Sequence, residues 1–219
     1  MSEIRTEEEQ IQAFKQWWKE NGKSLILGVG LAVAIVVGWR GWQERQAIEA
    51  ENASVLYQNM VDAVVAGIGP QQDQDQLATA KHLAGQLKDE YSDSSYAKFA
   101  SLVLARVAVE SKDYDNALAE IDWVLANQPT QEMKVIATMR KARLLAEKGD
   151  RDAALKLISA LNAGNFKASV EELKGDLLLA KGDRGAARAA YEAAQAAAQQ
   201  SGARPLLNIK LDDLAVEDK

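Results

Sequence analysis

The residue types that carry chemistry are scarce in this chain. Cysteine is absent and His82 is the single histidine, so disulfides, thiol chemistry, Cys-His pairs and multi-histidine metal sites are all excluded. His82 falls on a predicted hairpin helix, where a solvated or capping role is expected. Carboxylates are plentiful, but "TEEEQ", "VEEL" and "LDDL" lie beside turns or on polar helix faces, which suits hydration better than a paired acid and base. "GVG" and "KGD" follow no strand and lack the spacing of a phosphate loop. The expectation is a protein without enzymatic activity, cofactor or metal.

Binding chemistry depends on which elements hold the remaining side chains. The chain has 219 residues with 26 Lys and Arg against 32 Asp and Glu, a net charge of -6. No basic cluster stands out, so nucleic acid is not an expected partner. One apolar run dominates the N-terminal part: "KSLILGVGLAVAIVVGWR" holds sixteen uncharged positions between Lys23 and Arg40. A membrane span, a cleaved export signal and a buried core helix compete for it. The run lacks a polar stripe, and Trp17, Trp18, Trp39 and Trp42 suit the two interfacial belts. Lys23 and Arg40 can keep their charges at the interface while burying their stems. Twenty-two residues precede Lys23 and no small-residue cleavage site follows the run. A retained anchor over residues 23–42, contacting lipid, is therefore expected.

Arg5, Lys15, Lys19 and Lys23 precede the span, against Arg40 and Arg45 after it. This bias predicts a cytoplasmic N-terminus and an exported domain, periplasmic in a Gram-negative bacterium. Residues 1–22 then form a cytoplasmic segment with a short amphipathic helix. Thr6 and Glu9 are spaced as a capping box, Ile11, Phe14 and Trp18 share one face, and Asn21-Gly22 is read as a stop. Within the anchor Gly30, Ala34 and Gly38 recur every fourth residue, the spacing that lets a second transmembrane helix approach.

Residues 43–219 read as all-α. The prolines, Pro70, Pro129 and Pro205, fall between periodic segments, and no alternating β-branched run is present. "KDYDNALAEIDWVLANQP", "KGDRDAALKLISALNAGN" and "KGDRGAARAAYEAAQAAA" superimpose, and "DQLATAKHLAGQLKDEYS" is an earlier copy. Their aligned alanines, Ala80, Ala117, Ala154 and Ala187, are 37, 37 and 33 residues apart. Alanine there lets two helices of a hairpin cross closely. Four residues on come Ala84, Ile121, Ile158 and Tyr191, and three further on Leu87, Val124, Leu161 and Ala194, one apolar stripe. Gly149 and Gly182 occupy turns that favour positive φ. The period is that of a helical-hairpin repeat array.

At these positions the chain resembles a tetratricopeptide repeat (TPR). The best copy covers residues 98–129, with Leu104, Ala105, Ala108, Tyr114, Ala117, Ile121, Val124 and Pro129 on the framework; Gly175, Ala187 and Tyr191 match in the last copy. The match departs from the pattern at Ile68 and Lys141. Stacked hairpins present a concave wall. Projecting the repeat puts Phe99, Leu102, Arg106 and Val109 on it, then Ile136, Met139, Arg143 and Ala146, then Glu172, Asp176 and Leu179. An apolar groove with two arginines suits an extended or helical segment. The competing reading is that several of these side chains pack against the next hairpin. The Lys, Asn and Arg set of TPR clamps for acidic C-termini is lacking.

The last element, "RPLLNIKLDDLAVEDK", fits a strand through Leu207, Ile209 and Leu211 and a helix through Leu207, Leu211 and Leu214. Either a cap over the last hairpin or a detachable segment is open.

Taken in order, "FKQWWKENGK", a Gly-rich anchor, four TPR-like hairpins and "LLNIKLDDLA" are similar to the YfgM family of bacterial inner-membrane proteins. That resemblance implies an ancillary subunit of the SecYEG translocon, cooperating with the periplasmic chaperone PpiD on unfolded exported proteins. The alternative is a membrane-tethered TPR scaffold for assembly of another cell-envelope complex.

Overall fold

A computed structural model describes residues 7–68, 73–198 and 204–216, and all regular structure among them is helical. The helices are α1 (Glu7–Gly67), α2 (Gln74–Glu90), α3 (Ser95–Glu110), α4 (Tyr114–Ala126), α5 (Gln131–Glu147), α6 (Arg151–Ser159), α7 (Lys167–Ala180), α8 (Arg184–Ala198) and α9 (Pro205–Val216). Packing divides the chain into two units, residues 1–52 and 53–219. Thr6 of the expected capping box and Pro70 lie outside the described residues.

The first unit is helical from Glu7 onward. The stop expected at Asn21-Gly22 is not there, and α1 runs through it. Asn21 donates from Nδ2 to the Trp17 carbonyl at 3.1 Å, turning a helix breaker into part of the turn. Gly22 is covered by the indole of Trp18, 3.2 Å from where a Cβ would stand. Phe14 lies 6.3 Å from both Trp17 and Trp18, and Trp39 lies 5.0 Å from Trp42. Helix α1 is long and apolar enough to cross a membrane, by length and composition. Its apolar side chains are solvent-facing, Leu27 at 74% exposure, whereas the apolar side of a soluble core helix is covered. A Cβ built on Gly28, Gly30, Gly38 or Gly41 would meet nothing within 4 Å.

In the second unit, residues 53–67 of α1 and helix α2 form the first hairpin, sharing a core of Ala53, Met60, Ala63, Val64, Leu77, Ala80, Ala84 and Leu87 with α3. The other hairpins are α3/α4, α5/α6 and α7/α8. The crossing alanines Ala80, Ala117, Ala154 and Ala187 are all fully buried, with Ile121, Ile158 and Tyr191 at 1% exposure behind them.

The turns within the α3/α4, α5/α6 and α7/α8 hairpins share a pair of residues. Lys112, Gly149 and Gly182 hold positive φ of 58°, 94° and 86°, and the following aspartate caps the next helix. Asp113, Asp150 and Asp183 accept from the amides of Asn116, Ala153 and Ala186, satisfying a donor that the first helical turn leaves open. This is the physical content of the "KGD" repeat. Hydrogen bonding to Asn116 holds the Asp113 carboxyl below its ordinary range. Between α2 and α3 a buried lysine secures the connection: Lys98 Nζ donates to the carbonyls of Ser92, Asp93 and Ser94 at 3.1, 2.9 and 3.4 Å. Burial lowers its pKa, against the opposing pull of the Asp93 charge.

Candidate protein-binding groove

The first helices of the hairpins, α3, α5 and α7, bring equivalent positions into register. With repeat offsets of 37 and 33 residues, Phe99, Ile136 and Ser169 correspond, as do Leu102, Met139 and Glu172, then Arg106, Arg143 and Asp176, then Val109, Ala146 and Leu179. The second of these sets faces the next element along the array. Leu102 is buried with Ala137 and Leu144 of α5, and Met139 with Val170 and Leu173 of α7. Ile136 is half-buried, and Phe99, Arg106, Val109, Arg143 and Leu179 are exposed. Phe99 lies beside Tyr57, ring centroids 6.3 Å apart, and Tyr57 in turn lies 5.6 Å from Tyr96.

Three of the expected side chains, Arg106, Val109 and Arg143, meet in one trough of about 400 Å³ between α3, the start of α4 and α5. Its lining includes Ala105, Tyr114, Ile121 and Leu144, with Arg140 and Glu147 completing it. Arg140 escapes a sequence projection because it lies outside the aligned column; its spacing of three residues from Arg143 on one helix is the signal that would have found it. Arg140 Nη1 donates to the Leu102 carbonyl at 3.3 Å. Burial lowers its pKa, and the charges of Arg143 and then Arg106 act in the same direction. Arg106 Nε pairs with Glu110 at 2.9 Å across an exposed helical turn.

Glu172 and Asp176 do not join this trough. They meet α9. Arg204 Nη1 donates to Glu172 Oε2 at 2.6 Å and Arg204 Nη2 to Ser169 Oγ at 2.6 Å. Lys210 Nζ donates to Glu172 Oε1 at 2.9 Å and to Asp176 Oδ1 at 2.7 Å. Tyr191 Oη donates to the same Asp176 oxygen at 2.8 Å. Burial acts to raise the Glu172 pKa, but hydrogen bonds from Lys210 and Arg204 outweigh it and hold the carboxyl below its ordinary value. For Lys210 burial acts downward and is outweighed by Asp176 and Glu172, so its pKa lies above the usual value. Burial, then the Asp176 hydrogen bond and charge, push the Tyr191 phenol upward.

Helix α9 resolves the ambiguity left by its leucines. Leu207 and Leu214 are buried against Ala187, Tyr191 and Ala194, with Leu211 packed alongside, while Leu206 and Ile209 are exposed. The element is helical and covers the apolar end of the last hairpin. His82 is exposed. Among the described residues no group of three or more His, Asp or Glu side chains is gathered as a metal would require. The trough between α3, α4 and α5 presents apolar surface beside fixed charge.

A family model described as a tetratricopeptide repeat-like domain matches residues 15–216. A protein of Escherichia coli (strain K12) named "Ancillary SecYEG translocon subunit" is 32% identical over 99% of this chain and 100% of its own length. Proteins with the same name from Haemophilus influenzae and Neisseria gonorrhoeae are 32% and 28% identical, each over 95% of this chain and 97% of its own length. No solved structure matches. With its helical hairpins, its capping α9 and this end-to-end similarity, the chain belongs to the YfgM family of tetratricopeptide repeat-like proteins.

Proposed function

We propose that this protein is a non-enzymatic scaffold of the bacterial inner membrane, an ancillary subunit of the Sec translocon that works beside the periplasmic chaperone PpiD on unfolded exported proteins. The observation that carries the reading is similarity along the whole chain to relatives named as ancillary SecYEG translocon subunits. Helix α1 supports attachment through a single span, with lipid around its exposed apolar side chains. The excess of Lys and Arg before Ser24 supports a cytoplasmic N-terminus and a periplasmic repeat domain. The open small-residue face of Gly30, Ala34 and Gly38 is the part of the anchor suited to docking on another membrane helix. Exported chains would be met by the exposed members of the wall, Phe99, Arg106, Val109, Arg143 and Leu179.

Isolation of the full-length chain from native membranes in mild detergent tests the assignment. Translocon subunits should be recovered with it; recovery of a different envelope complex instead would favour an assembly scaffold. Protease added to the periplasmic side should digest residues 53–219, and their protection would overturn the orientation.

A further inference from the structure

The trough between α3 and α5 has a charge pattern that the rest of the molecule does not predict. On a chain with net charge -6, three arginine side chains, Arg106, Arg140 and Arg143, converge on one apolar depression with Val109 and Leu144. Two acidic groups partly offset them. Glu147 shares the lining, and Glu110 pairs with Arg106, though that pair has 74% and 42% of its two side chains exposed and so exchanges readily for another carboxylate. Arg140 spends one nitrogen on the Leu102 carbonyl. Arg143 is exposed and has no ion pair among the described residues, so it has a guanidinium fork to offer.

We infer that this trough takes a segment of a partner polypeptide in which a carboxylate side chain stands next to a bulky apolar one. The apolar side chain fills the depression over Val109 and Leu144, and the carboxylate bridges Arg140 and Arg143. Planar bidentate pairing suits arginine, and neighbouring apolar surface strengthens it by excluding water. The inference rests on the reading of this protein as a protein-binding scaffold and adds to it the chemical class of the bound segment.

The test uses the full chain in lipid nanodiscs and a fluorescein-labelled peptide of alternating leucine and glutamate, followed by fluorescence anisotropy. The same peptide with glutamine or lysine in place of glutamate is the comparison. The glutamate peptide should bind roughly tenfold more tightly than the glutamine one, and added salt should shrink that difference. Arg140→Gln with Arg143→Gln should abolish it. Arg143→Glu should shift the preference toward the lysine peptide, a gain that misfolding cannot produce. Equal binding of all three peptides, no binding of any, or a glutamate preference that survives in the double variant would each overturn the inference. So would tighter peptide binding after removal of Glu217 and Asp218, which would make the chain's own end the occupant. None of these outcomes bears on recovery of the translocon with the anchor, so the broader assignment stands or falls separately.

Discussion

Gly175 lies flush against Tyr191: a Cβ at residue 175 would stand 2.4 Å from the ring atoms Cδ1 and Cε1 of Tyr191. Tyr191 is at 1% exposure and bonded through its hydroxyl to Asp176, so the ring cannot swing aside without losing that bond. The glycine is therefore what allows α7 and α8 to approach. Replacing Gly175 with Ala should destabilise the domain by about 1–3 kcal/mol through overpacking, read as a lowered denaturation midpoint. A midpoint equal to that of the parent would mean that the two helices separate freely.

The turn into α4 uses Lys112 where the two later turns use Gly149 and Gly182. An L residue at positive φ carries backbone strain that glycine avoids, although glycine also gains freedom in the unfolded chain. Lys112→Gly should therefore raise stability by roughly 0.5–1 kcal/mol. Thermal melts of the two chains decide it, and a lower melt for the glycine variant would contradict the strain argument.

The seam between α7 and α9 predicts a pH dependence. Glu172 has a folded pKa below its ordinary 4.5, so its stabilising contribution is present above the unfolded value and is lost as pH falls through the folded one. Parent and Glu172→Gln chains should differ most near neutral pH, and the gap in melting temperature should close on acidification below about 4.5. For Lys210, whose pKa is raised, the sign is opposite: its contribution holds below the unfolded value and fades only as strongly alkaline pH is reached. A constant gap between parent and Glu172→Gln across the acid range would contradict the assignment of the carboxylate.

How much of this was legible in the sequence depends on the range of the contacts involved. Ala80, Ala117, Ala154 and Ala187 were found by self-comparison because hairpin packing repeats locally, and all four are fully buried. The break read at Asn21-Gly22 failed because a local breaker costs about 1 kcal/mol, which the continuous ladder of α1 and the Asn21 bond to Trp17 offset. The leucines of α9 satisfied two periods at once. What selects the helix is the set of contacts that Lys210 makes to Glu172 and Asp176, more than thirty residues away in sequence. Projection of the repeat marked one face of each first helix. It could not show that Glu172 would be taken by Lys210, nor that Arg140 would turn into the trough formed with α3 and α4.

The anchor gives a prediction independent of the groove. Replacing Gly30, Ala34 and Gly38 with Leu keeps the span apolar while filling the face on which a Cβ now meets nothing. Recovery of membrane partners should fall severalfold, because small residues are what permit close helix approach in a bilayer. Undiminished recovery would assign all recognition to residues 53–219.

The most direct measurement is photocrosslinking in intact cells with a reactive amino acid placed at Ala34 in the anchor or at Val109 in the trough. The account predicts translocon subunits captured from Ala34, and exported chains still in transit captured from Val109. Capture of subunits of another envelope complex at both positions, with no translocon product, would contradict it.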